Sequence, residues 1–345
     1  MTRLALLLPL LCLPLVGSAQ DTSATSPLRD TGIDRTTIAV VINAADPLSV
    51  AVGEYYARER HIPAINVIRV SFSVGTSEMT VDEFQRVKAE VDAVTPENVQ
   101  AYALAWTAPY RVACMSMTAA FAFGYDRAFC AAGCMPTRLS PYFNAPSRLP
   151  EIELHMRPAM MLAGRSFAEI KALIDRGIAS DATYPRGTAY LLLTPDKARG
   201  TRVLLYPIVE SVAAGLIDVQ IVKEDNLTNR QDVMFYFTGA MKVDGLETLQ
   251  FIPGAIADHL TSFGGMLTDS MQMSALRWLE AGATGSYGTV TEPCNFPQKF
   301  PHPAIVIGRY LRGETLIEAY WKSVAWPGQG VFIGEPLAAP FRLKR

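Results

Sequence analysis

The feature that most constrains the fold is an alternation of short apolar runs with helical segments in the first third of the chain. TTIAVVIN (36–43) is a β-branched run typical of a buried strand. Asp46-Pro47 then predicts a helix start with proline in its first turn, and a second strand is predicted in IPAINVIRVSF. Residues 80–94 have the apolar spacing of a helix, and AYALAW (101–106) is predicted as a third strand. This order implies parallel strands with helices on both faces.

The same alternation returns near residue 186. Strands are predicted in GTAYLLLT, DVQIVKE, DVMFYFT, GAIADHLTSF and ATGSYGTV, and helices over Gln272–Ala281 and in PAIVIGRYLRG and ETLIEAYWKSVA. Residues 35–106 and 186–345 are therefore predicted as two parts of one α/β domain. Residues 107–185 are less regular, and we expect them to form an insertion with a cysteine loop that lies on the sheet. The predicted fold is a three-layer α/β sandwich with a mainly parallel sheet.

The N-terminus has the pattern of an export signal. Leu4 to Val16 is an apolar run that follows one arginine, and Gly17-Ser18-Ala19 supplies the small residues that a signal peptidase requires. We expect residues 1–19 to be a signal peptide cleaved near Ala19, followed by a polar linker over residues 20–34. The run is too short to span a bilayer, and no other segment has a transmembrane pattern. The mature protein is predicted to be periplasmic or secreted, without a membrane span.

Export changes what the cysteines imply. Four remain after the signal peptide, and an even number in an oxidising compartment favours disulfides. Three connectivities are open. One of them closes a tight Cys130–Cys134 loop in FCAAGC and leaves Cys114 to pair with Cys294. No histidine has zinc-finger spacing to these cysteines, so no metal site is predicted.

Charge and loop spacing argue against two classes of partner. The formal net charge is −2, and the chain has no run of lysine and arginine. Nucleic acid is therefore not expected as a partner. GMLTDS and GATGSYG lack the spacing of phosphate-binding loops, so no nucleotide cofactor is predicted. The remaining partner classes are a peptide, a polymer or a component of the cell envelope.

Small polar residues lie at or just beyond the ends of many of the predicted strands. In an open parallel sheet, ligands bind beyond the carboxyl ends of the strands, so these residues are candidates for a binding cleft. Turns and helix N-caps require the same residue types, which is the alternative explanation for each of them. The predicted cleft residues are Asn43, Asp46, Thr238, Gly239, Asp258, Gly264, Thr289 and Glu292.

The stretch GAIADHLTSFGG (254–265) holds the residue types of hydrolytic chemistry. Ser262 is a candidate nucleophile, and His259 is a candidate base. Positions i and i+3 of a strand point to opposite faces, so His259 can serve Ser262 only if the strand has already ended. Cys294, with His302 after it in TEPCNFPQKFPHP, is a second candidate nucleophile. The alternatives are a core histidine at 259 and a disulfide at Cys294.

The last third of the chain carries the motifs of a known family. WLEAGATGSYGT (278–289), LRGETLIEA (311–319) and the later Gly-Glu-Pro make residues 232–341 resemble gingipain-like cysteine peptidases, which have the caspase–haemoglobinase fold. The resemblance implies one strand that leads to Gly-His and a later strand that leads to the catalytic cysteine. Here Gly239 is followed by Ala240, and Ser262 lies where the cysteine is expected. The Cys/His dyad of the family is therefore not carried over.

Four longer stretches carry a second resemblance. They are INAADPLSVAVGEYYARERHIP, AWTAPYRVACMSMT, GATGSYGTVTEPCNFPQKFPHP and EAYWKSVAWPGQGVFIGEPLAAPF. Over nearly the whole mature chain, the sequence is similar to a family of exported bacterial proteins without an assigned function. This resemblance implies family membership and no particular chemistry.

Three functional hypotheses follow. The first is a divergent or non-catalytic gingipain-like protein that binds a peptide, a polymer or an envelope component at the strand ends. The second is an active, peptidase-like hydrolase that uses Ser262 or Cys294 with His259 or His302. The third is a purely structural envelope protein without a cleft at the strand ends. An enzyme requires a nucleophile and an imidazole within hydrogen-bond reach, and the other two classes do not.

Overall fold

The structure, a computed structural model, describes residues 32–131, 134–268 and 270–343. The predicted signal peptide (1–19) and most of the predicted linker (20–34) lie outside the described residues. Within them, a ten-stranded, mostly parallel sheet is flanked by helices. The predicted α/β sandwich with a mainly parallel sheet is confirmed.

The described residues contain thirteen strands. They are β1 (Ile38–Asn43), β2 (Val67–Val70), β3 (Glu78–Met79), β4 (Ala101–Leu104), β5 (Arg111–Val112), β6 (Met115–Ser116), β7 (Ala159–Met161), β8 (Thr188–Leu192), β9 (Asp218–Val222), β10 (Val233–Thr238), β11 (Phe251–His259), β12 (Gly285–Thr289) and β13 (Gly330–Gly334). The large sheet has the order β2-β1-β4-β7-β13-β12-β11-β10-β8-β9, and a small sheet has the order β3-β5-β6.

Strand direction places the carboxyl ends of three neighbouring strands at one edge. β10, β11 and β12 pair in parallel, as do β8 and β9 on one side and β1, β2, β4 and β7 on the other. β13 runs antiparallel to β12 and meets β7 where Ile333 lies opposite Met161. Loops after β10, β11 and β12 therefore lie side by side, at the position where ligands bind in open parallel sheets.

Nine α-helices connect the strands in the described residues. They are α1 (Pro47–Glu59), α2 (Val81–Val94), α3 (Met117–Phe123), α4 (Pro150–Leu154), α5 (Phe167–Ser180), α6 (Tyr206–Ala213), α7 (Leu276–Glu280), α8 (Pro303–Leu311) and α9 (Leu316–Ser323). Asp46 caps α1, as predicted, by accepting a hydrogen bond from the Leu48 amide. None of the described helices has the length and apolarity that crossing a membrane requires.

Alternation along the strands builds a core on each face of the sheet. In β1, Ile38, Val40 and Ile42 pack into one hydrophobic cluster, and Ala39 and Val41 pack into another. All five side chains are fully buried. A strand covered on both faces needs a continuous apolar run, and this is why TTIAVVIN was recognisable as a strand.

Residues 107–185, which we expected to form an insertion, contribute a strand to the central sheet instead. β7 lies between β4 and β13, and α5 follows it with Ile170 and Ile174 in the main core. The Tyr55 hydroxyl of α1 donates a hydrogen bond to Asp175 of α5 at 2.5 Å. The expectation that the whole of residues 107–185 lies on the sheet is therefore wrong for β7 and α5, which continue the βαβ pattern.

Two disulfides are present, and their pairing differs from the tight-loop arrangement. Cys114 pairs with Cys130, and Cys134 pairs with Cys294. Cys114 lies in the turn between β5 and β6, whereas Cys294 lies in the loop after β12. Cys130 and Cys134 therefore belong to two different bridges and do not pair with each other.

Candidate functional site

A pocket of about 290 Å³ lies beyond the carboxyl ends of β11 and β12, and we call it the strand-end pocket. Its floor contains the buried, apolar side chains of Leu260 and Phe300. Its rim is polar and includes a disulfide. The lining residues are Cys134, Ala198, Arg199, Leu260, Thr261, Ser262, Glu292, Cys294, Asn295 and Phe300.

Hydrogen bonds fix the turn that carries Ser262. The Thr289 hydroxyl at the end of β12 is 2.9 Å from the carbonyl oxygen of Ser262 and 3.1 Å from that of Thr261. Thr261 in turn donates to Oε1 of Gln272 at 2.7 Å, and the Phe263 amide donates to the same oxygen. Ser262 is therefore held in the pocket wall by the ends of two strands and by the chain that precedes α7.

Arg199 forms the cationic part of the rim, and its charge is already neutralised by the carboxylate of Asp196. Its Nη1 lies 2.8 Å from Oδ2 of Asp196, and its Nε donates to the Thr261 hydroxyl at 3.0 Å. Gly239 allows this arrangement, because a Cβ there would lie 2.2 Å from the carbonyl oxygen of Arg199. Since Glu292 adds a negative charge to the rim, the pocket does not favour an anionic ligand.

His259, the predicted base, is turned away from the pocket and buried. Its Nδ1 accepts a hydrogen bond from Trp278 Nε1 at 2.9 Å, and its Nε2 is 3.0 Å from the carbonyl oxygen of Met273. Because a carbonyl oxygen can only accept, the proton is on Nε2. Burial, together with the nearby positive charges of Arg202 and Arg199, lowers the pKa of His259 to about 4. This imidazole is neutral at physiological pH and has no lone pair left for Ser262.

The second predicted base, His302, does not line the strand-end pocket. It faces a smaller pocket of about 180 Å³, and Phe300 lines both pockets. Nδ1 of His302 is buried without a hydrogen-bond partner in the described residues, and burial lowers the pKa of this histidine. The structure therefore does not bring His302 and Ser262 into one pocket.

Cys294, the second predicted nucleophile, is oxidised. Its sulfur is bonded to that of Cys134, and this disulfide forms part of the pocket wall. A disulfide sulfur has no thiolate, which is the nucleophilic form of cysteine. The Glu292 carboxylate accepts a hydrogen bond from the Cys294 amide at 2.7 Å. Cys294 and Glu292 thus both line the predicted cleft, but as parts of its wall.

Asp258 points into the core on the face of the sheet opposite His259. Its Oδ1 lies 2.5 Å from Nη1 of Arg202, and both side chains are 1% exposed. Burial raises the pKa of Asp258 to about 6, although the guanidinium of Arg202 opposes this shift. Asp258 is part of a buried ion pair and does not line the predicted cleft.

The remaining predicted cleft residues have local structural roles. Thr238 is buried, and its carbonyl oxygen accepts a hydrogen bond from Arg202 Nη2 at 2.9 Å. Gly264 packs on the ring of His259, since a Cβ there would lie 3.4 Å from Cε1. Thr289 supports the turn at Ser262, as described above. Of the predicted cleft and catalytic residues, Ser262, Glu292 and Cys294 line the strand-end pocket.

Asn43 and Asp46 were wrongly placed in this cleft. Asn43 forms hydrogen bonds with the backbone of Phe72, and Asp46 caps α1. β1 is separated from β11 by four strands, which corresponds to roughly 24 Å at the usual spacing of ~4.8 Å between strands. Both residues therefore serve the end of β1, as turn and capping residues.

The sequence-based prediction missed several residues of the pocket. Arg199 follows β8 by several residues, and Asn295 and Phe300 lie in the proline-rich loop after β12. The ion pair between Asp196 and Arg199, three residues apart, was a usable signal for the first. Phe300 carried no such signal, because one apolar residue in a loop does not reveal what it covers.

No protein-family model, no curated protein and no solved structure matches the chain. Among the residues that the structure describes, no group of three or more histidine, cysteine, aspartate or glutamate side chains is placed to hold a metal ion.

Proposed function

We propose that the protein is an exported, divergent gingipain-like protein that binds an extended peptide in the strand-end pocket without cleaving it. The observation that carries this proposal is the state of His259, whose two ring nitrogens are both hydrogen-bonded on the far side of the strand from the pocket. Among the described residues, Ser262 therefore has no histidine base in its pocket. Two disulfides and the predicted signal peptide support an exported location.

The size and chemistry of the pocket support a peptide as the ligand. A volume of about 290 Å³ is at the lower limit for small-molecule sites, which are typically ~300–1,000 Å³, and it suits one inserted side chain. Leu260 and Phe300 provide an apolar floor for that side chain. Asn295, Ser262 and Glu292 on the rim can exchange hydrogen bonds with peptide main-chain groups. Several main-chain hydrogen bonds around one apolar anchor are typical of extended-peptide recognition.

Filling the pocket is expected to abolish peptide binding. Fluorescence polarisation with labelled Gly-Gly-X-Gly-Gly peptides, with X varied over apolar residues, identifies the best anchor. We expect Ser262→Trp to bind this peptide at least about 30-fold more weakly, as for the loss of a ~2 kcal/mol anchor. Ser211→Trp, at an exposed serine of α6, is the matched control and is expected to bind normally. Equal binding by the two variants, or no binding by the wild-type protein, would contradict the proposal.

A second measurement distinguishes peptide binding from the alternative function, which is hydrolysis by Ser262. Ser262 is half-buried in the pocket wall, so its hydroxyl is accessible to a small reagent. Binding without cleavage predicts intact peptides by mass spectrometry after prolonged incubation. It also predicts only a several-fold loss of affinity in Ser262→Ala, as for one rim hydrogen bond worth about 1 kcal/mol. Cleavage that is lost in Ser262→Ala, together with labelling of Ser262 by a fluorophosphonate, would instead establish the hydrolase.

A further inference from the structure

A second pocket, of about 480 Å³, is lined by four methionines, and we call it the thioether pocket. Its methionines are Met241, Met266, Met271 and Met273. The side chain of Met271 is fully exposed, that of Met241 is half exposed, and the other two are partly buried. All four side chains therefore line an open pocket, and Met266 and Met273 also pack against the core.

The distribution of methionine in the rest of the molecule makes this grouping unusual. The chain has 13 methionines. Met79, Met115, Met117, Met156, Met160, Met161 and Met234 are buried in the core, which is the ordinary place for this residue. Five of the described methionines are not buried, and four of these line the thioether pocket. Met135 is the fifth.

Two chain segments bring the four residues together. Met241 lies just after β10, and the other three lie between β11 and α7. The Met273 amide donates a hydrogen bond to the carbonyl oxygen of Met241 at 3.1 Å, which joins the two segments. The Met273 carbonyl is held in turn by His259. Methionine side chains rotate about three bonds, so thioethers around one pocket can converge without movement of this backbone.

We propose that the thioether pocket binds a soft monovalent metal ion, Cu(I) or its analogue Ag(I), through methionine sulfur atoms. Thioethers are soft ligands and select Cu(I) over harder divalent ions. They are neutral and do not have to lose a proton, so the site works at low pH and in an oxidising compartment where thiols become disulfides.

The polar groups around the pocket favour a small ion over an apolar molecule. Charged and polar side chains line most of the remaining wall, and they would be poorly solvated against an apolar ligand. The wall accommodates a single positive charge because its cations are already paired, Lys242 with Asp244 and both arginines with Glu280. These charged residues are Arg165, Lys242, Asp244, Glu247 and Arg277.

Titration with Ag(I) in chloride-free buffer tests the site with a redox-inert probe. The protein is the full exported chain, with any free thiol blocked by N-ethylmaleimide. We expect one Ag(I) per chain by calorimetry. The ε-methyl NMR signals of the four pocket methionines should shift, and the signal of Met135 should not. Cu(I), added anaerobically from a chromogenic chelator, is expected to occupy the same site.

Methionine-to-leucine variants provide the control. Leucine keeps the apolar volume and removes the sulfur, so the fold should be retained. The Met241→Leu/Met271→Leu/Met273→Leu variant is expected to lose more than ~100-fold in Ag(I) affinity, beyond the 10–100-fold effect of losing an outer-shell partner. Met135→Leu, at the exposed methionine outside the pocket, is expected to bind normally. Full stoichiometric binding by the triple variant, or no Ag(I) binding by the wild type, would overturn the proposal, and neither result bears on peptide binding.

Discussion

Replacing Arg202 with methionine is expected to lower the free energy of unfolding by about 3–5 kcal/mol at pH 7, because the Asp258 carboxylate is left buried without its counter-charge. The two side chains are 1% exposed, with Nη1 and Oδ1 2.5 Å apart. Arg202 also donates to the carbonyl oxygen of Thr238 at 2.9 Å and to that of Pro301 at 3.3 Å, and both acceptors lose a donor. Urea unfolding followed by tryptophan fluorescence measures the change.

Two further variants separate the ion pair from general damage. Arg202→Met/Asp258→Leu removes both charges and is expected to recover much of the lost stability, since a buried pair can be replaced by apolar residues of similar size. Arg69→Met breaks the exposed ion pair with Glu54 and is expected to change stability by less than about 1 kcal/mol. If the double variant is as unstable as Arg202→Met, the buried charge of Asp258 is not the cause.

The pH dependence of the Arg202→Met penalty gives an independent check. Burial raises the pKa of Asp258 from 3.8 to about 6. The folded protein then binds a proton more readily than the unfolded chain, so this contribution to stability is complete below pH 3.8 and is lost as the pH rises to about 6. Without Arg202 the pKa of Asp258 rises further. The penalty of Arg202→Met is therefore expected to shrink as the pH is lowered from 7 towards 4.

The titration of His259 changes the free energy of unfolding with pH in the opposite direction. Comparison of the variant with the wild type separates this contribution from that of Asp258. Burial lowers the pKa of His259 from 6.5 to about 4, so its contribution to stability is complete above pH 6.5 and is lost as the pH falls towards 4. In the wild type, the pH dependences of stability that come from Asp258 and His259 partly cancel between these pKa values. The difference between Arg202→Met and wild type at each pH removes the part of the His259 contribution that burial causes. The smaller part caused by the charge of Arg202 is lost in the variant, and its loss also makes the penalty shrink at low pH. A penalty that does not change with pH would contradict the buried-carboxylate account.

Removing the Cys134–Cys294 disulfide is expected to have the second large effect. The sequence separation is 160 for this bridge and 16 for Cys114–Cys130. Loop-closure entropy then predicts stabilisation of the folded state by about 5 kcal/mol for the long loop and about 3 kcal/mol for the short one. Urea unfolding of Cys134→Ser/Cys294→Ser and of Cys114→Ser/Cys130→Ser measures both.

Peptide mapping under non-reducing conditions checks the pairing on which this prediction rests. The expected linked peptides join Cys114 with Cys130 and Cys134 with Cys294. A linked Cys130–Cys134 peptide would contradict the pairing. An equal loss of stability in the two double variants would contradict the loop-length argument. Because Cys134–Cys294 lines the strand-end pocket, its loss should also weaken peptide binding, whereas loss of the other bridge should not.

Local patterns predicted most of the sheet, and the failures have identifiable causes. β1, β4 and β8 are short, continuous apolar runs, and this is the pattern of strands buried on both faces. β7 was missed because three residues, Ala-Met-Met, are too short and too poor in β-branched residues to stand out. The helix predicted from Gln272 begins at Leu276, and the Gln272 side chain instead accepts hydrogen bonds from the turn that carries Ser262.

The sequence predicted the position of the candidate site but not the orientation of His259 or the disulfide pairing. Ligands of open parallel sheets bind at the carboxyl ends of the strands, and Ser262, Glu292 and Cys294 line a pocket at that position. The orientation of His259 depends on Trp278, 19 positions later, and no local pattern reveals that contact. The disulfide pairing likewise depends on which loops meet in space. Both features depend on tertiary contacts, which the spacing of residues in the sequence does not predict.

The most direct test of a strand-end pocket without a catalytic base is an NMR pH titration of the His259 ring in protein labelled with ¹⁵N-histidine. We expect a neutral ring with its proton on Nε2 at every pH from 5 to 8, because both nitrogens are hydrogen-bonded and burial lowers the pKa to about 4. A His259 that titrates near pH 6.5, or whose Nε2 signal responds to Ser262→Ala, would contradict the account. It would place a working base beside the serine.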